Sequence, residues 1–226
     1  AKSAIIIADK AHKRAPFDSE EGGQQGSSIA SAGFNLALQP LVAELDQRVR
    51  DADPDSAARF IADDGTIAVP LAAAPAIIDW LESASAELGL ELARSKCAGY
   101  CPALGAALAD EPAWQQLGFK IGRHKQADGS LAGYGIEIAG TPLGDAAFIA
   151  AYASDAVDGQ LGAMDKIHSA LCPVDTHSAH IMTYYCCLPL IDHVLQHVAP
   201  SIIGGDAARF DAAVLNAVES YVPVLS

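Results

Sequence analysis

Asp63 and Asp64 are the residues of this chain whose type and spacing most readily do chemistry. They sit in the stretch Ala58-Arg-Phe-Ile-Ala-Asp-Asp-Gly-Thr-Ile-Ala-Val-Pro70, where two short apolar runs flank a bare Asp-Asp-Gly. Runs rich in β-branched and aromatic residues around a turn signal predict a β-hairpin, here with two adjacent carboxylates at its tip. Adjacent aspartates repel one another, and water or a divalent cation screens them. The bland alternative is a solvated Asp-Gly turn, the commonest hairpin chemistry, and both readings stay open at this point.

Two further patterns could carry chemistry. Glu20-Glu-Gly-Gly-Gln-Gln-Gly-Ser-Ser28 is a small-residue loop ahead of a helical pattern. Such a loop opening a helix can cradle phosphate, yet neither GxxxxGK[ST] nor GxGxxG is present, and a flexible loop explains it equally. Five cysteines stand at 97, 101, 172, 186 and 187. Cys97-x3-Cys101 and Cys172-x4-His177-x2-His180 fall short of the paired CxxC units that specify zinc, so they read as structural thiols and surface histidines.

Elements must hold these residues in place. Before the hairpin, Phe34, Leu38, Leu41, Val42, Leu45 and Val49 recur at helical spacing, with Arg48 and Arg50 in the last turn where they suit the helix dipole. Asp51-Ala-Asp-Pro54 ends that helix. After the hairpin, Pro75 opens a second amphipathic helix through Ile77, Ile78, Leu81, Ser85 and Leu88, and Gly89 stops it. Leu90 to Ala93 alternates like an edge strand. A short helix near Trp114, a polar turn at Asp128-Gly129 and a strand-turn over Tyr134–Gly144 follow. Three helices then occupy about 145–171, 176–198 and 206–221, with Pro189 kinking or breaking the second and Gly204-Gly205 separating the last two. Their expected core positions are Ile149, Tyr152, Met164, Ile167 and Leu171, then Ile181, Tyr184, Leu188, Ile191, Leu195 and Val198, then Phe210, Val214, Val218 and Tyr221. Strands early and helices late give an α+β class.

Composition bounds the function. Of 226 residues, 51% are apolar, a globular composition rather than a disordered one. No run of about 18 apolar residues marks a membrane span, and Ala4-Ile-Ile-Ile7 is too short for a signal-peptide core. The chain begins at Ala1, as a processed product or a piece of something longer would. The odd cysteine count and the Cys186-Cys187 pair favour an intracellular, reducing compartment. A net charge of -14 argues against nucleic acid as a partner of this chain alone, because phosphate contacts need a basic face.

Placed in order, these pieces resemble the palm and thumb of reverse transcriptases of non-LTR-type retroelements. Gly23-Gln24-Gln25-Gly26-Ser27 and its helix are similar to the loop-helix near template and incoming nucleotide, and Phe60-Ile-Ala-Asp63-Asp64 resembles the aspartate-pair hairpin. Glu87 to Cys97 is similar to the following helix-strand element, Gly135 to Gly144 to the primer-grip hairpin, and the helices from 145 onward to the thumb. The likeness runs from about residue 20, and the 37 residues from Gly26 to Asp63 suit a loop, a helix and a strand.

The resemblance implies a palm-like antiparallel sheet with packed helices over 1–134, then the primer-grip-like hairpin and a helical thumb-like bundle over 135–226. It implies RNA-directed DNA polymerase as the family activity, with Asp63 and Asp64 as Mg2+ ligands, Lys96 as general acid toward pyrophosphate, and Gln25, Gly26 and Ser27 as substrate contacts. Two metal ions about 3.5–4 Å apart would serve the attacking and leaving oxygens. The family also needs an aspartate on a strand upstream of the loop. Asp9 and Asp18 are the candidates, and Asp9 stands only 17 residues before Gly26. Relatives carry arginines where Leu190 and Gln196 stand, and the loss weakens a grip on a duplex. The expectation is therefore a vestigial site in a palm and thumb module that is inactive by itself and serves as a structural or interaction subunit among other proteins. The alternative is the C-terminal part of an active, Mg2+-dependent polymerase.

Overall fold

The computed structural model describes residues 3–8, 14–19, 30–61 and 64–221. Two compact units divide the chain, Ala1–Leu92 and Ala93–Ser226.

In the first unit, β1 (Ser3–Ala8) and β2 (Arg14–Ser19) pair antiparallel, with Ser3 opposite Ser19. Pro16 stands in β2, opposite Ile6. Helix α1 (Ala30–Ala52) follows and buries Leu38, Leu45 and Val49 at helical spacing. Pro40 lies inside it on the exposed side, where loss of one backbone bond is tolerated best. The expected hairpin forms from β3 (Ala57–Ile61) and β4 (Asp64–Ala68). Helix α2 (Ala74–Glu87) starts with Pro75 in its first turn and buries Ile77, Ile78 and Leu81. It packs on α1, where the Arg48 guanidinium lies 4.3 Å from the Trp80 ring centre.

Gly89 ends α2 as expected. At φ +73 it lets its own N–H reach Ala86 O and the Leu90 N–H reach Ser85 O, both at 3.0 Å. Leu88, expected on the buried face, is exposed at this cap. Leu90–Ala93 is not a strand: its first amide serves the helix end, and no strand pairs with it among the described residues.

The second unit begins with a 3-10 turn (Arg94–Lys96) and the short parallel pair β5 (Ala98–Gly99) and β6 (Lys120–Ile121), which enclose a 3-10 turn (Gly105–Asp110) and α3 (Pro112–Leu117). Trp114 covers Gly99, where a Cβ would come within 2.4 Å of the indole. Two hairpins follow, β7 (His124–Lys125) with β8 (Leu131–Ala132), and β9 (Gly135–Ile138) with β10 (Thr141–Gly144). The sequence reading divided the chain at 134/135, whereas residues 93–134 belong with the helices. The Gly135 N–H bonds Gly122 O at 3.0 Å, and β7 and β8 both pack on the long helix α4 (Ala146–Leu171).

The second long helix expected here is α5 (Thr176–Met182), a π-turn (Thr183–Cys187) and α6 (Leu188–His197). A π-turn adds a residue to the helical repeat and rotates everything beyond it. Ile191 and Val198 are buried as expected, while Tyr184 and Leu195 are exposed and Thr183, Cys187 and Val194 are buried; Ile181, ahead of the turn, is exposed as well. Helix α7 (Pro200–Tyr221) runs straight through Gly204-Gly205. Ile203, 2% exposed and packed with Ala153, Val194 and Val198, holds that turn and outweighs two glycines at about 1 kcal/mol each. Val218 is exposed, and a second cluster joins Val157 and Met164 to Cys187, Ile191 and Phe210. The class is α+β, with small two-stranded sheets and a predominance of helix. No helix of the described residues is long and apolar enough to cross a membrane.

The hairpins meet α4 through glycines. Gly133 has φ +55, and a Cβ there would stand 2.0 Å from the Phe148 amide nitrogen. Gly133→Ala is expected to cost about 3 kcal/mol, combining overpacking with a disfavoured backbone. Gly129→Ala, at φ +85 with nothing within 4 Å, should cost only about 1 kcal/mol. Urea denaturation of both variants checks this, and equal losses would show that the contact with Phe148 does not matter.

Candidate functional site

The β3–β4 hairpin is where the sequence places its chemistry. Ile61 and Asp64 form the last pair, so the connection is Ala62-Asp63 rather than Asp-Gly. Gly65 lies opposite Phe60, and a Cβ on it would meet the Phe60 ring at 2.5 Å. Its role is to let that ring cover the hairpin, a packing reason in place of the expected turn reason. Asp64 is exposed at the head of β4, a hard-oxygen donor open to solvent. Asp63, its expected partner, lies outside the described residues, as do Gln25, Gly26, Ser27 and Asp9.

Lys96 is exposed on the 3-10 turn Arg94–Lys96 of the second unit, and not on a helix-strand element. Asp18 lies in β2 opposite Ala4, in a two-stranded sheet separate from β3–β4. Gln196 is exposed on α6, and the side chain of Leu190 lies outside the described part. Among the described residues no three His, Cys, Asp or Glu gather as metal ligands, and all five thiols are free. Burial raises the Cys97 thiol above its ordinary value despite Arg94 nearby, and burial with Cys186 beside it does the same for Cys187. Burial thus disfavours the thiolate form at both.

Sequence reasoning missed the residue that steadies the hairpin, Asp46 of α1. Its Oδ1 accepts the Ala58 N–H at 3.4 Å and Arg59 Nη1 at 3.2 Å, and its Oδ2 faces Arg50 Nη2 at 2.8 Å. Desolvation pushes this carboxyl upward, but the Ala58 N–H, Arg50 and Arg59 together outweigh it and hold it below the ordinary carboxylate value. Arg50 four residues after Asp46 was the available signal; the bond to a strand twelve residues away had none in the sequence.

In the second unit the expected primer-grip-like hairpin β9–β10 is clasped to α4. Asp145 accepts the Phe148 N–H at 2.8 Å and the Tyr134 N–H at 2.9 Å. Tyr152, expected as core, donates its hydroxyl to Gly140 O at 2.9 Å across the turn of that hairpin. Burial raises the Tyr152 phenol, and Glu137 adds to the effect. On β7, His124 places Nε2 2.8 Å from Asp155 Oδ2, with its ring edge-on to Phe148 and Tyr152. The His124–Asp155 pair spans 31 residues, and no spacing rule finds it.

No family model matches this chain, and no curated protein or solved structure matches it. Its chemistry has to be read from its own residues.

Those residues make a pH prediction. Because the folded-state pKa of Asp46 is lowered, its contribution to stability is full above the unfolded carboxylate value of about 4. It fades as pH falls through the lower folded value. Asp46→Asn should therefore unfold at lower urea than wild type at neutral pH, with the gap closing in acid. A gap that stays constant with pH would show that the charge is not its source.

Proposed function

We propose that this chain is a reverse-transcriptase-like palm and thumb module that does not extend primers by itself and serves as a structural or interaction body within a protein assembly. The observation that carries the reading is the order of elements around the aspartates. A long amphipathic helix leads into a two-residue-loop hairpin with Asp64 exposed at its end, and a second helix packs back on the first. The β9–β10 hairpin and a helical body then follow in the second unit. This order of helix, hairpin, helix, hairpin and helical body supports the reading, while Glu87–Cys97 forms a helix end and a 3-10 turn in place of a helix-strand element.

Two observations favour a silent role. Asp18 sits in a sheet of its own rather than beside β3–β4. The charge of -14 opposes a grip on phosphates, and Gln196 adds no positive charge to the surface of α6. A fold of this kind can be retained as a surface for other proteins.

A second reading, the C-terminal part of an active RNA-directed DNA polymerase, is favoured by the solvent-open carboxylate of Asp64. Asp63 and Asp64 would then hold Mg2+, which supplies charge stabilisation for phosphoryl transfer, and Lys96 would be the proton donor. Among the described residues the exposed Asp64 is the hairpin's one carboxylate, a hard-oxygen donor of the kind Mg2+ takes.

Primer extension on an RNA template with Mg2+ or Mn2+ decides between them. The isolated chain is expected to add no nucleotide above background. Sustained incorporation that is lost in Asp63→Ala would overturn the silent reading in favour of the polymerase.

A further inference from the structure

We infer that the Asp46–Arg59 pair guards the outer edge of β3 against strand addition by a second copy of this chain. Among the described residues β3 has one strand partner, β4. In an antiparallel ladder, alternate residues turn both main-chain groups toward the partner or both away from it. Ala58 turns both away: its N–H goes to Asp46 Oδ1 at 3.4 Å, and its carbonyl accepts Arg59 Nη1 at 2.7 Å. By the same alternation Phe60 also presents its N–H and carbonyl outward.

An added strand needs those groups. At Ala58 both are taken by two side chains that also hold each other, Nη1 to Oδ1 at 3.2 Å, while Arg50 anchors the other oxygen of Asp46. Open strand edges pair with one another unless something covers or charges them. Beside this edge, Leu38 and Val42 of α1 and Phe60 border a groove of about 560 Å3, so side chains of an incoming strand would find room.

The occupant being excluded is a second β3. Laid antiparallel with Ala58 opposite Phe60 of the other copy, the two Arg59 residues would stand directly across from each other. Like charges so placed destabilise a pair. Arg59 therefore acts twice, by filling the Ala58 carbonyl and by repelling its own counterpart. This role is independent of any catalytic or assembly role for the hairpin.

The test is the double variant Asp46→Ala/Arg59→Ala, followed by sedimentation velocity over a concentration series with circular dichroism to confirm folding. Self-association at least tenfold tighter than wild type is expected. Adding Ala58→Pro, which removes the outward N–H without touching the ladder to β4, should return association to the wild-type level. A folded double variant that sediments like wild type overturns the inference, and so does association that survives the proline. If the double variant does not fold, hydrogen exchange on Asp46→Ala decides. The Ala58 amide should exchange at least tenfold faster than in wild type, and unchanged protection overturns the inference.

Discussion

Asp145 uses both oxygens of one carboxylate to begin the longest helix and to hold the chain that leads into it. One oxygen caps α4 at the Phe148 N–H, and the other takes the Tyr134 N–H just before β9. Because the same group satisfies both, the hairpins and α4 cannot be placed independently. Gly133 and Gly135 then lie against Phe148, and Gly144 faces Gly135 across the ladder, so the aromatic ring fills space that side chains would have taken. From that corner α4 extends over 26 residues as the element on which α5, α6 and α7 all pack. The helical body is thus oriented by a polar clasp and a set of missing side chains, and its apolar clusters fill in afterwards.

The π-turn at Thr183–Cys187 makes the next decision. Without it, Ile181, Tyr184 and Leu188 would continue one apolar stripe into Ile191 and Leu195. With it, Cys187 and Ile191 join Val157, Met164 and Phe210, while Tyr184 and Tyr185 remain at the surface with ring centres 5.0 Å apart. Thr183 is buried and shares a hydrogen bond of 2.9 Å with the Tyr221 hydroxyl, which ties the turn to the end of α7. Pro189, just beyond, has no N–H to offer inside this continuous helix, and it was expected to kink or break it; the helix instead carries the π-turn just before it.

The first unit shows how the same hairpin can be shaped by two demands. Asp64 stands exposed at the head of β4, beside Gly65, over which the Phe60 ring lies. Standing as a two-stranded sheet turns main-chain groups of β3 outward, and Asp46 with Arg59 takes both of those of Ala58. The first demand concerns Asp64 at the head of β4 and the second the main-chain groups of Ala58 on the outer edge of β3. The hairpin itself was legible because the run-turn-run pattern is local, whereas the Asp46 contacts on its flank join residues from two elements.

Local rules thus determined much of this protein from the sequence alone. Periodicity located α1, α2 and α4, the run-turn-run pattern located β3–β4, and Gly89 and Pro75 marked helix ends, because each depends on groups within a few residues of one another. The tertiary structure decided what depended on groups far apart in the chain. It carried α7 through Gly204-Gly205 because Ile203 found a buried seat, shifted the buried face of α6 through a π-turn, and left Leu90–Ala93 without a partner strand among the described residues. It also brought Asp46 to Ala58 and His124 to Asp155. The physical reason is the same in each case: burial and hydrogen bonding with distant residues outweigh local preferences of about 1 kcal/mol or less per residue, and a sequence read in windows contains only the local side of that balance.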